Sequence, residues 1–274
     1  MKKSIKTTED YGQKLARERE WHVARRRQTE HPLNSPLFHS PQRVAFCYDY
    51  VKRRMAEVIR LACQRLNRPN PALLLAPIGD GADLPYVQPL FQDITGVDIS
   101  PEALDKIQVP GIKKHVADMT RMDMFGDEQF DVVLVPLIFH HYLGTGFDPL
   151  LSELCRVLKP GGCFLSLEPS ILHPFSWITI IARRVFGNIT GQVEDECAFA
   201  PGLLTRAMKR HGLTDVKVYG VSFSHNRLPI VVAKINNILT RRLFGCPGLA
   251  QLAFMCGFYG RKPERDERSE HRRS

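Results

Sequence analysis

The stretch Ala72-Leu-Leu-Leu-Ala-Pro-Ile-Gly-Asp-Gly-Ala-Asp83 constrains the fold more than any other part of the chain. Leu73 to Ala76 is an apolar run too short for a helix, and it suits a strand buried on both faces. Such strands belong to parallel sheets with helices on either side, and ligands of those sheets bind beyond the carboxyl ends of the strands. Gly79 and Gly81 fall at that position. Without Cβ atoms they can take positive φ and let the backbone approach a ligand closely. A second apolar run ends on an acid in Gly96-Val-Asp-Ile-Ser100. A carboxylate at Asp98 is placed to accept both hydroxyls of a ribose. A third apolar segment ends at Asp118, in Val116-Ala-Asp-Met119.

Three further landmarks follow in order: Phe130-Asp-Val-Val-Leu-Val135, Phe139-His-His141 and Val157-Leu-Lys-Pro-Gly-Gly162. A dinucleotide-binding turn needs Gly-x-Gly-x-x-Gly opening a helix. Here Gly79-Asp-Gly81 is followed by Ala82-Asp-Leu84, and the third glycine is absent. The whole series resembles the class I S-adenosylmethionine-dependent methyltransferases, and within them the branch that includes the quinone-biosynthesis C-methyltransferases. The resemblance implies S-adenosylmethionine as cofactor, held by Ala76, Pro77, Gly79, Gly81 and Leu137, with Asp98 on the ribose. It also implies that Asp118 meets the adenine amino group, with Ile99 and Met119 packing on the ring faces. The chain departs from the family pattern at two positions. Leu75 stands where an acid is usual, and Pro77, with its fixed φ and no N–H, stands at the first glycine.

The fold expected is an α/β, Rossmann-like, doubly wound seven-stranded sheet whose last strand runs antiparallel. Residues 1–70 form an N-terminal helical prefix, with a charged helix over 8–28, a connector broken by Pro32, Pro36 and Pro41, and a second helix over 42–66. In that second helix Val44, Tyr48, Val51, Met55, Val58, Ile59 and Ala62 make one apolar stripe. Residues 71–263 are the methyltransferase domain. Strands near 73–76, 94–98, 112–116, 131–136 and 163–168 alternate with helices near 82–91, 101–107 and 148–158, which predicts parallel pairing with right-handed crossovers. Residues 169–200, apolar over Pro169 to Gly187, are expected as a helical insertion covering the acceptor. A helix over 201–211, a strand over 214–220, an amphipathic basic helix over 228–245 and a final strand ending at Tyr259 complete the domain. Residues 264–274 form a charged tail, expected to be disordered.

The chain has 274 residues, 43% of them hydrophobic, enough for a sizeable core. Its formal net charge is +9. Part of this excess lies at the termini, intermixed with acids, and reads as a solvated surface. Nucleic acid is not an expected partner, and Pro136-Leu-Ile-Phe139 lacks the Asn/Asp-Pro-Pro-Tyr element of enzymes that methylate DNA base amines. Seven scattered cysteines without C-x-x-C fit a reducing cytoplasm and argue against zinc. The N-terminus has no apolar signal core, and no apolar run reaches membrane-spanning length. A cytoplasmic location is expected.

Methyl transfer is a displacement at a sulfonium methyl. Its enzyme mainly positions the nucleophile and excludes water. A base is needed only where the acceptor must lose a proton. His140 and His141, just after the fourth strand, are the catalytic candidates, since a histidine titrates near neutrality. Glu168, His173 and Tyr142 are secondary candidates, and Glu194-Asp-Glu196 reads as a solvated loop. The acceptor expected is a small, apolar or amphiphilic metabolite offering an O or C nucleophile. Two other classes stay open. One is a peripheral membrane enzyme acting on a lipid-linked acceptor, because segments 171–186 and 228–245 pair apolar faces with Arg or Lys as interfacial helices do. The other is a cofactor-binding module without turnover, suggested by Leu75 and Pro77.

Overall fold

The computed structural model describes residues 40–66, 68–178, 181, 198–225, 228–246 and 248–265. The helix expected over 8–28, the loop Glu194–Glu196, most of the insertion and all but the first two residues of the tail lie outside these. Helix α1 (Pro41–Leu66) leads into β1 (Ala72–Leu75), α2 (Leu84–Val87), β2 (Asp93–Asp98), α3 (Pro101–Leu104) and β3 (Lys113–Val116). Then come β4 (Phe130–Pro136), α4 (Asp148–Val157), β5 (Leu158–Pro169), α5 (Pro201–Arg210), β6 (Thr214–Ser222), α6 (Ile230–Leu243) and β7 (Met255–Arg261). The strand order is β3-β2-β1-β4-β5-β7-β6. β1 to β5 pair in parallel, and β7 runs antiparallel between β5 and β6. This is the doubly wound, Rossmann-like seven-stranded sheet.

The central strands are buried on both faces, and their side chains alternate between two apolar layers. Leu73, Leu75, Val132, Leu134, Cys163, Leu165 and Leu167 face the layer that contains Val51, Met55, Val58 and Ile59 of α1. Leu74, Val133, Val135 and Phe164 face the layer that contains Leu150, Leu151 and Leu154 of α4 and Leu204 and Met208 of α5. Leu75 is fully buried on the α1 side. An acid there would have to ionise inside a fully apolar layer.

The helix expected over 82–91 is shortened. It holds α-geometry only over Leu84–Val87 and continues as a 3-10 turn over Gln88–Leu90. Pro89 has no N–H and its ring clashes with the preceding turn, so an α-helix cannot pass through it. β5 starts earlier than expected, because Leu158 already pairs with Phe130 across an irregularity in the register.

At the amino ends of β4 and β5, Asp131 ties three segments together. Its carboxylate accepts bonds from the Ala72 amide at 2.9 Å, Arg68 at 2.5 Å and Lys159 at 2.9 Å. Burial alone would raise its pKa, but the amide and the two cations outweigh burial and hold the carboxyl below its ordinary range. The unfolded chain therefore takes up the proton first as the pH falls. This contribution to stability is full above the unfolded value, about 3.9, and is lost as the pH drops through the folded pKa. Asp131→Ala should cost about 1–3 kcal/mol near neutral pH. The deficit should shrink in urea denaturation at about pH 3, and a deficit of equal size at both pH values would disprove the linkage.

Candidate active site

The glycine turn is seated at the carboxyl end of β1. The Ala76 amide bonds the Leu134 carbonyl at 3.0 Å, and the Ile78 amide bonds the Val97 carbonyl at 2.9 Å, so the chain leaves β1 between its two neighbours. Ile78 crosses directly over Gly96 of β2. A Cβ at Gly96 would stand 2.3 Å from the Ile78 side chain, so the turn can lie this low only over a glycine. Gly79 has φ of 56° and Gly81 has φ of 84°, conformations that side chains disfavour. Nothing lies within 4 Å of where a Cβ on Gly79 would stand, whereas Leu84 and Ile107 close off Gly81. Gly79 thus faces open space, and Gly81 serves packing.

Asp98 is the last residue of β2, and its carboxylate is held in place. One oxygen accepts the Gly79 amide at 2.8 Å and the other accepts the Ser100 amide at 2.9 Å. The same acid therefore fixes the glycine turn against the end of β2. Two residues beyond β3, Asp118 accepts the amide and hydroxyl of Thr120, both at 2.8 Å, which locks its rotamer. Met119 is buried beside it and Ile99 is half-buried. Helix α1 braces the turn from behind. Lys52 pairs with Asp83, and Tyr86 donates to Asp49 at 2.8 Å. Open space at Gly79, an oriented acid at the end of β2 and a second acid after β3 together fit the nucleoside of S-adenosylmethionine. Ala76 and Pro77 lie in the same turn.

The second half of the site follows β4. Leu137 takes φ of 55°, unusual for a residue with a Cβ and of the kind found where surrounding bonds over-determine the backbone. Its amide bonds the Leu167 carbonyl at 2.8 Å. The chain then makes a 3-10 turn over Phe139–His141. Glu168, fully buried at the end of β5, collects this turn. It accepts the amides of Ile138 at 2.8 Å, Phe139 at 2.9 Å and His140 at 3.4 Å, and bonds His140 Nδ1 at 2.8 Å. With Glu168 as the acceptor of all four bonds, His140 donates through Nδ1–H, and neutral imidazole then carries its basic lone pair on Nε2. The His141 ring lies 4.2 Å from that of His140, centroid to centroid. In the sequence Glu168 is a secondary catalytic candidate. The structure instead makes it the support of the histidine turn. Its only legible signal was an acid ending one strand beside a histidine pair ending the next. His173 is buried, bonds the Phe223 carbonyl at 3.1 Å, and has its pKa lowered by burial. Among the described residues no cluster of metal-ligating side chains is present.

Residues 76–166 match a family model described as a methyltransferase domain. An uncharacterized methyltransferase of Synechocystis is 31% identical over 113 residues, covering 40% of this chain and 51% of that protein. The demethylmenaquinone methyltransferase of Chlorobaculum parvum is 37% identical over 82 residues, covering 28% of this chain and 32% of that protein. The chain thus spans about half the length of the first of these relatives and about a third of the second. Among solved structures, the Burkholderia thailandensis 1,6-didemethyltoxoflavin-N1-methyltransferase, with 1,6-didemethyltoxoflavin and S-adenosylhomocysteine bound, superposes with a TM-score of 0.54 at 14% identity. That match covers 96% of this chain and 94% of the other. A Thermotoga maritima protein described as a SAM-dependent methyltransferase, possible histamine N-methyltransferase, gives a TM-score of 0.54 at 17% identity, covering 80% and 97%. At these identities the structural likeness speaks for the fold.

Proposed function

We propose that this chain, whose residues 76–166 match a methyltransferase-domain model, uses S-adenosylmethionine to methylate an O or C nucleophile of a small amphiphilic acceptor, with His140 as general base. The observation that carries this reading is the buried Glu168–His140 pair at the carboxyl edge of the sheet. A methyltransferase acting on a neutral amine needs no base of this kind, whereas a hydroxyl or an acidic carbon must lose a proton. The cofactor, when bound, supplies an electrophilic methyl with a neutral leaving group. Gly79, Asp98, Ile99, Asp118 and Met119 would hold its nucleoside, with Ala76, Pro77 and Leu137 lining the path toward the histidine turn. His140 would take the acceptor's proton at Nε2, and Glu168 would stabilise the resulting imidazolium. His141 would pack against its neighbour. Because one relative bears the name demethylmenaquinone methyltransferase, hydroxylated aromatic rings and quinols are the first acceptors to try. Transfer of labelled methyl to such rings, and not to amines of similar size, is the expected result. Transfer confined to amines would refute the reading.

Cofactor binding can be measured without knowing the acceptor. Asp98→Ala should remove two charge-assisted bonds to the ribose, each worth about 1.5–3 kcal/mol before rearrangement. It would also release the Gly79 and Ser100 amides. Affinity for S-adenosylhomocysteine should fall roughly tenfold or more in calorimetry. Unchanged affinity would rule out Asp98 as the ribose ligand.

A further inference from the structure

Helix α6 is turned inside out. Its inward face is Ala233, Asn237 and Thr240, all buried. Asn237 Oδ1 accepts the Ser224 hydroxyl at 3.0 Å, and the Asn237 carbonyl accepts the Tyr50 hydroxyl at 3.0 Å. Thr240 accepts the Phe223 amide at 3.4 Å and donates to the Asn236 carbonyl at 2.8 Å. These bonds fix the rotation of the helix. Its apolar stripe then points outward: Val231, Ile235 and Ile238 are 69%, 55% and 65% exposed. Large contiguous apolar patches are rare on a surface that meets only water.

The stripe does not stand alone. Residues 174–178, just past β5, are helical, and Trp177 and Ile178 are exposed at 55% and 58%. A row of rings joins this segment to the loop that feeds α6. Phe175 stacks on His225 at 5.9 Å, and His173 and His225 each meet Phe254, at 5.5 and 4.6 Å. β6 runs parallel to β5, since β7 is antiparallel to both. Both apolar segments therefore leave the sheet at its carboxyl edge, where Glu168 and His140 lie.

Charge decides the occupant. From Val216 to Pro263 the sequence has no Asp or Glu and seven Lys or Arg. From Pro169 to Val193 it has no acid either, and carries Arg183 and Arg184. On α6 itself Lys234, Arg241 and Arg242 are exposed around the apolar stripe. Two copies of this face would bring like charges together in an isologous dimer. An apolar layer beneath anionic headgroups satisfies both the stripe and the cations, whose long stems can reach the headgroup level. Trp177 suits the boundary between the two.

We propose that α6 and residues 174–178 dock this enzyme on an anionic lipid bilayer, with the carboxyl edge of the sheet facing the membrane. The docking holds whichever atom is methylated, and its test needs no turnover. The full chain should co-sediment with vesicles of phosphatidylglycerol and phosphatidylcholine, less so in high salt, and poorly with phosphatidylcholine alone. The chain has two tryptophans. In a Trp21→Phe background Trp177 emission should shift to the blue on anionic vesicles and be quenched by brominated acyl chains. Ile235→Ser with Ile238→Ser should abolish sedimentation while leaving the thermal unfolding midpoint unchanged, because both side chains already meet solvent. Should that pair fail to fold, Lys234, Arg241 and Arg242 changed together to Gln give a second reading. At about fivefold per cation near the surface, binding should fall roughly a hundredfold. No sedimentation of the wild-type chain with anionic vesicles, or a Trp177 spectrum that ignores them, overturns the proposal. So does a stable dimer in light scattering that the Ile235→Ser, Ile238→Ser pair splits, since the face would then belong to a second copy.

Discussion

His140→Ala should lower kcat by about 10²–10⁴-fold while leaving affinity for S-adenosylhomocysteine nearly intact. The imidazole is buried, its Nδ1 is bonded to Glu168 at 2.8 Å, and its ring sits in the turn that follows β4. Only the proton taken from the acceptor is lost with it, because the residues expected to hold the nucleoside lie in the turns after β1, β2 and β3. The wild-type rate should fall at acid pH as the imidazole becomes protonated, and this limb should be absent from the His140→Ala profile. His141→Ala should act mainly on KM and stability, with a smaller change in kcat. Wild-type kcat in both single variants would mean that the acceptor needs no base, and an amine nucleophile would then be the reading to pursue.

The sheet was legible in the sequence for a specific reason. Strands buried on both faces are short apolar runs, and runs such as Leu73–Ala76 and Val132–Val135, too short for a helix and followed by Pro or Gly, read as such strands. Asp98 stood out because it ends the apolar run of β2, whereas β3 is not the apolar segment expected: Lys113, Lys114 and Val116 are exposed at the sheet edge, and only its place in the motif series marked Asp118. What the sequence hid depends on rotation and on partners far along the chain. Glu168 ends its strand just as Asp98 does, yet it turns toward the amides of Ile138 and Phe139, thirty and twenty-nine residues away. No local pattern reveals that direction. The apolar and basic pattern of 228–245 was legible as that of an interfacial helix, but not which of its faces turns inward. Ala233, Asn237 and Thr240 decide that, through bonds to Phe223 and Ser224 that only the fold creates.

Glu168→Gln should lower kcat about as far as His140→Ala does, although Glu168 is a positioning residue that touches no reactant. The carboxylate fixes the histidine tautomer: as an acceptor it requires a proton on Nδ1 of His140. A glutamine offers one oxygen and one NH2 group to four donors, the Ile138, Phe139 and His140 amides and the imidazole. If the oxygen serves the two short amide bonds, the NH2 group faces Nδ1, and the imidazole must move its proton to Nε2. The basic lone pair then points at Glu168's position and away from the acceptor. Comparable loss of an orienting carboxylate in a hydrolase triad lowers kcat by about 10⁴. The imidazolium formed during the reaction would also lose its counter-charge. Stability should fall too, by about 1–3 kcal/mol for each buried amide that loses its acceptor, but a purely structural role would leave kcat per folded molecule and its pH profile unchanged. The informative measurement is therefore kcat of the folded fraction across pH, together with the imidazole nitrogen shifts by NMR. A Glu168→Gln protein whose His140 keeps the Nδ1–H tautomer and whose kcat matches the wild type would sink the dyad. Loss of rate with a tautomer change would establish that β5 supplies the group that makes the β4 histidine basic.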